Sequence, residues 1–180
     1  RNQNKAERQD QNDLFSIIAD YALTAKGLER DLRIDIDGGR IVAMRPAADG
    51  SPSPGPSPER LAGRILLPAL VNAHSHAFQR GFRGHVQHRA AERDDFWSWR
   101  SAMYAAANGL PPEGVEAISR LAFLEMAESG VGVVGEFHYL HHAPDGARYA
   151  DPDELARRVI AAAREVGLRI TLLRTAYAAG

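Results

Sequence analysis

The sequence predicts an α/β protein with a parallel sheet, preceded by a small β-domain. The order of its apolar periods carries that expectation. Apolar strand-like runs at residues 64–72, 131–139 and 168–177 alternate with segments of helical period, which is the order of βαβ units. Residues 17–44 instead hold short runs that alternate polar and apolar with period two, as half-buried strands do. Length limits the architecture. A complete (β/α)8 barrel needs ~250 residues, and the chain has 180. It therefore holds either the first third of such a barrel, about three βα units, or a self-sufficient open sheet of three or four strands.

Taken in order, Arg1 to Asp13 is polar and without period, a tail with too little apolar surface to order itself. Ile17 to Leu23 and Asp31 to Asp37 read as strands, Asp37-Gly38-Gly39-Arg40 as a turn and Ile41 to Met44 as the returning strand of a hairpin. Ser51 to Pro58 alternates Ser and Pro without apolar content. It is expected to be an exposed extended loop, in preference to a Pro-rich signalling ligand. Arg64 to Asn72 is too apolar for a half-exposed strand, so burial on both faces is expected, as in a parallel sheet. Phe96, Trp99 and Met103 recur at i, i+3 and i+7 behind Asp94-Asp95 as caps, predicting a helix from Asp95 to about Asn108. A second helix is expected from Pro111-Pro112 to near Gly130, with Val115, Ile118, Ala122 and Met126 as its apolar face. Val131 to Tyr139 is the next buried strand. Asp151-Pro152-Asp153-Glu154 reads as a capping box opening a helix whose stripe is Leu155, Val159, Ala162 and Val166, closed by Gly167. Leu168 to Tyr177 is the last strand.

Composition narrows the function classes. Hydrophobic residues make up 44% and charged residues 25%, an ordinary globular balance. The 22 basic and 23 acidic side chains leave a net charge of −1, so no global field favours nucleic acid or a membrane surface, and neither is expected as a partner. No apolar run reaches the roughly 18 residues of a membrane span, and the N-terminus lacks the layout of a signal peptide. The absence of cysteine leaves imidazole and carboxylate as metal-ligand types, and it is compatible with the cytoplasm, the expected location. The chain begins with Arg1, so translation need not start there.

The chemistry concentrates at His74-Ser75-His76. In an extended backbone, side chains at i and i+2 point to one face, so these imidazoles present themselves together to one ion: half a metal site. The bland alternative is two polar residues in an ordinary βα loop. Catalytic groups of a (β/α)8 barrel lie at the carboxyl ends of its strands. His74 and His76 end one predicted strand while His138 and Tyr139 end the next, and both strands are expected to supply one rim. For His138 an ordinary structural histidine is an equal alternative.

The run from Leu67-Pro68-Ala69-Leu70-Val71-Asn72 through Ala73-His74-Ser75-His76 resembles the first-strand signature of the amidohydrolase superfamily. These are metal-dependent hydrolases and deaminases on a (β/α)8 barrel with a small β-sandwich beside it. His76-Ala77-Phe78-Gln79-Arg80, Phe96-Trp97-Ser98-Trp99-Arg100 with Met103-Tyr104, and Glu136-Phe137-His138-Tyr139-Leu140-His141-His142 are similar to the formimidoylglutamate deiminase family of histidine breakdown. The similarity runs from about Ile18 to Gly180. The polar tail over 1–13 lies outside it, and it implies part of the β-sandwich over 14–63, which carries the Pro/Ser loop at 51–58, and the first strands and helices of an incomplete barrel over 64–180. It implies His74 and His76 as two ligands of one zinc ion, and Gln79, Arg100 and Tyr139 as residues that hold substrate. The implied activity is hydrolysis of N-formimino-L-glutamate to N-formyl-L-glutamate and ammonia. A dicarboxylate suits Arg100, whose planar fork binds a carboxylate bidentately, with Gln79 and Tyr139 as neutral donors; the plain alternative for Arg100 is a solvated helix residue. A homodimer is the expected full-length form. The family takes a third His, a late Asp, and an acid/base Glu with a further His from later strands. Catalytic residues are therefore expected beyond Gly180, and this portion alone is expected to be inactive. Two other readings stand beside this one, a nucleobase-type deaminase of the same superfamily and a non-catalytic α/β fragment. His85, His88, His141 and His142 receive no role.

Overall fold

The computed structural model describes residues 14–84 and 96–176. The Arg1 to Asp13 tail, the Asp94-Asp95 caps, and His85 and His88 lie outside the described residues. The chain divides after Pro68 into two compact units.

The first unit is a four-stranded sheet of β1 (Phe15–Thr24), β2 (Gly27–Asp37), β3 (Arg40–Pro46) and β4 (Glu59–Leu66), in the order β3-β2-β1-β4. β1, β2 and β3 form the antiparallel meander that their period-two pattern predicts, and β4 returns parallel to β1. Ala19, Ala22, Leu32 and Ile34 make its apolar core. Asp35, 1% exposed, accepts hydrogen bonds from Ser16 Oγ at 2.6 Å and Arg33 Nε at 2.8 Å, and pairs with Arg45. The Arg33 guanidinium donates its other N–H groups to the carbonyls of Ser51 (2.7 Å) and Pro52 (2.9 Å). The Pro/Ser loop thus lacks regular structure, as expected, but a buried arginine pins its beginning.

The second unit is a parallel sheet of β5 (Leu70–Ser75), β6 (Val131–His138) and β7 (Arg169–Arg174) in that order. β5 is followed by a 3-10 turn (Ala77–Phe82), α1 (Phe96–Ala107) and α2 (Pro112–Glu128); α3 (Glu154–Val166) joins β6 to β7. This is the arrangement of the opening units of a (β/α)8 barrel. α2 and α3 pack on the sheet through Val115, Ala122, Phe123, Leu155, Val159, Ala162 and Ala163 against Val134.

Three expectations change. The single strand over Arg64 to Asn72 is two strands, because Pro68 has no N–H for a ladder and restricts Leu67 before it. Arg64 to Leu66 belong to the first sheet, where Ile65 pairs with Tyr21 and Leu66 with Ala22. Nor is this stretch buried on both faces: β5 is an edge strand, and Leu67, Leu70 and Val71 are exposed. Finally, α3 begins at Glu154 without a side-chain cap. Asp151 Oδ1 instead accepts the Asp153 N–H (2.9 Å) in a turn just before the helix, while Gly167, at φ 86°, closes the other end. No helix of the described residues is long and apolar enough to cross a membrane.

Candidate active site

Pairing between β5 and β6 runs Val71 with Val133 and Asn72 with Val134, then Ser75 with Glu136, the register shifting between Asn72 and Ser75. Ala73 and His74 together oppose Gly135, so the strand bulges there. A Cβ on Gly135 would stand 2.9 Å from the Ala73 carbonyl oxygen, which is why that position takes glycine. The bulge lets Asn72 and Ser75 both turn toward the helices, Asn72 Nδ2 reaching Met126 Sδ at 3.7 Å. His74 turns the other way, its ring centroid 4.3 Å from that of Phe137.

His74 and His76 meet with Nε2 to Nε2 at 3.1 Å. His76 Nδ1 lies 3.0 Å from the Phe137 carbonyl oxygen. A carbonyl only accepts, so Nδ1 carries the proton, and Nε2 is the ring nitrogen turned toward His74. Backbone-anchored Nδ1–H with a free Nε2 is how metal-binding histidines are held. Two nitrogens of a tetrahedral zinc site stand about 3.3 Å apart, so the pair fits one such ion. Among the described residues no group of three or more His, Cys, Asp or Glu side chains converges, so the pair supplies two ligands and no more.

β6 sorts its side chains by alternation. Val134, Glu136 and His138 are buried on the helix side, while Phe137 faces the histidine pair. Glu136 is 1% exposed; its Oε1 accepts the Ala77 N–H at 2.7 Å and its Oε2 has no partner. Burial pushes this carboxyl above its ordinary pKa, against the opposing pull of the Ala77 N–H and the Ser75 hydroxyl. His138 does not join the rim that the sequence assigns it. It is 3% exposed, and burial, with His141 next to it, lowers its pKa to about 4. His141 Nε2 donates to the Thr175 carbonyl at 2.8 Å, and His142 sits in a β-bridge with Arg148, both in structural positions.

Tyr139, one residue on, falls on the other side, its ring centroid 5.0 Å from that of His76. It lines a cavity of about 410 Å³ together with His76, Gln79, Trp99, Arg100, Met103 and Tyr104. Gln79 comes from the 3-10 turn, which approaches α2 closely: a Cβ on Gly81 would meet Ile118 Cδ1 at 2.7 Å. Gln79 Nε2 donates to Tyr139 Oη at 3.0 Å and to Met103 Sδ at 3.2 Å. The Arg100 guanidinium carbon lies 5.3 Å from the centre of the Tyr104 ring. The structure therefore brings Gln79, Arg100 and Tyr139 into one cavity with His76. Such a chamber suits a small anion with an apolar stem. Trp99, Met103 and Tyr104 enter the site without having been singled out for it. The signal was their i, i+4 spacing, which places Trp99 with Met103 and Arg100 with Tyr104 along α1.

The chain is similar to known proteins. Residues 65–179 match the model of the amidohydrolase family, and residues 15–59 match that of the formimidoylglutamate deiminase HutF N-terminal domain. A formimidoylglutamate deiminase from Pseudomonas aeruginosa is 40% identical over 165 residues, 91% of this chain and 35% of the relative. An 8-oxoguanine deaminase from the same species is 27% identical over 87% of this chain and 33% of its own length. A crystal structure of an amidohydrolase from Brucella melitensis superposes with a TM-score of 0.77 at 40% identity, covering 88% of this chain and 34% of the other. The chain spans about a third of the length of these curated relatives.

Proposed function

The chain belongs to the amidohydrolase family, and from that membership we propose that it is the N-terminal portion of a zinc-dependent deiminase that hydrolyses N-formimino-L-glutamate. Water adds to the formimino carbon and the C–N bond to the terminal nitrogen breaks, giving N-formyl-L-glutamate and ammonia. One observation carries this reading: Gln79, Arg100 and Tyr139 share a cavity with His76, whose Nε2 is 3.1 Å from that of His74. The likeness to the Pseudomonas enzyme supports it.

His74 and His76 would hold the zinc ion through Nε2. When bound, the ion supplies Lewis-acid activation of water near neutral pH. Arg100 binds one substrate carboxylate through two parallel N–H···O bonds, for which its planar fork is shaped. Gln79 and Tyr139 hold neutral polar groups, and Trp99, Met103 and Tyr104 keep water from the aliphatic stem. Because His76 lines the same cavity, a substrate anchored at Arg100 reaches toward the histidine pair.

Ammonia release by the metal-loaded full-length protein tests the reading. Turnover of formiminoglutamate is expected; turnover of guanine or another ring amine with formiminoglutamate left untouched would overturn it. Arg100→Met sharpens the choice. Losing a hydrogen-bonded charge costs about 3 kcal/mol, or about a hundredfold in kcat/KM, for a dicarboxylate substrate and close to nothing for a neutral ring.

A further inference from the structure

The peptide around His76 is gripped from the side opposite the cavity. Glu136 Oε1 takes the N–H of Ala77 at 2.7 Å, and Glu136 pairs with Ser75 in the parallel ladder. One residue of β6 thus holds the residue after His76 through its buried side chain and pairs in the ladder with the residue before it. The next residue of β6 holds the ring itself, through the Phe137 carbonyl on Nδ1 at 3.0 Å. Residues 136 and 137 of one strand therefore fix the backbone and the ring of a histidine that leaves another. A buried carboxyl with one oxygen unpartnered is costly unless something offsets it. The Val134, Glu136, His138 face packs on helices, where an apolar side chain would serve stability better.

We propose that Glu136 is a positioning residue for the metal site: by holding the Ala77 N–H it sets where His76 Nε2 stands relative to His74, and so sets zinc affinity. The proposal rests on the histidine pair being a metal site, but not on which substrate is turned over. The carboxyl touches neither the cavity nor the pair. It acts through the peptide.

The test is zinc affinity of the full-length protein, measured by competition with a chromophoric chelator, beside the absorption spectrum of the Co2+-substituted protein and thermal unfolding. Glu136→Met keeps the volume and removes the acceptor. It is expected to weaken zinc about 10- to 100-fold, the usual effect of losing a group that orients a ligand, and to change the Co2+ spectrum. Glu136→Gln keeps an oxygen for the Ala77 N–H and is expected to stay within about threefold of wild type. If Glu136→Met unfolds more easily yet binds zinc as wild type does, the residue is merely structural and the proposal fails. A loss in Glu136→Gln equal to that in Glu136→Met would also overturn it, since charge rather than the clamp would then be at work. Should Glu136→Met not fold, Glu136→Asp, whose shorter side chain withdraws the oxygen from the Ala77 N–H, decides: weaker zinc binding supports the clamp and unchanged binding refutes it. A wild-type protein that binds no zinc defeats the metal reading itself, an outcome distinct from all of these.

Discussion

Asp35 and Glu136 are both 1% exposed and sit on neighbouring-strand ladders, yet their chemistry is opposite. Around Asp35, burial raises the pKa, but hydrogen bonds from Ser16, Arg33 and Arg45 outweigh it and hold the carboxyl below its ordinary value. Around Glu136, burial wins: one N–H and one hydroxyl are too little, and the carboxyl is pushed up. A buried carboxylate surrounded by cations is a structural joint, here locking β2, β3 and the start of the Pro/Ser loop. A buried carboxyl left half-satisfied beside two converging histidines serves something other than stability.

The largest effect expected from this contrast is at Asp35. Removing it leaves Arg33 buried without its charge partner, and breaking such a pair from one side costs about 3–5 kcal/mol. Asp35→Ala should lower the urea midpoint of the full-length protein sharply while zinc affinity stays at the wild-type value. A loss of zinc binding in folded Asp35→Ala would erase the distinction between the two carboxyls.

His138 lies on the same buried face as Glu136 and supplies the next effect. Its folded pKa is about 4 against an ordinary 6.5, so on acidification the unfolded chain takes the proton first. Stability is whole above pH 6.5 and falls as the pH drops toward 4, by about 3 kcal/mol over that window. Replacing the group with His138→Gln should flatten that part of the acid slope in urea titrations at pH 7.5 and 4.5. Equal slopes would mean that the ring is not shut away from water in solution.

Periodicity made most of the fold legible: the β1 to β3 meander, α2, α3, β6 and β7 stand where apolar spacing puts them, and the family membership agrees. What spacing could not express is pairing and direction. The parallel return of β4 onto β1 depends on which run ends at Pro68, and Arg64 to Asn72 looks continuous because both halves are apolar. In the site, two histidines at i, i+2 were visible, but a bulge at Ala73 and His74 is what turns Asn72 and Ser75 to one side. The sequence Glu136-Phe137-His138-Tyr139 carries a polar or aromatic group at every step, so alternation alone does not say which pair faces the helices. Packing decides it, and packing assigns His138 to the core and Tyr139 to the cavity.

The smallest expected effect, with the opposite sign, concerns Glu136 again. A folded pKa above the unfolded one means that the native state keeps its proton after the unfolded chain has lost it. Glu136 therefore favours the fold only at acid pH, and that contribution is lost as the pH rises from the ordinary glutamate value through the raised one. Gln in its place stays neutral at every pH and retains an acceptor for Ala77. Glu136→Gln should thus match wild type in urea unfolding near pH 4 and become slightly the more stable of the two as the pH rises toward 7. Asp35→Asn should trend in the reverse direction, losing ground to wild type as the pH rises above the acid range, because there it is the ionised form that the fold prefers. Two variants that moved the same way with pH would show that the two buried carboxyls do not differ in the manner their surroundings dictate.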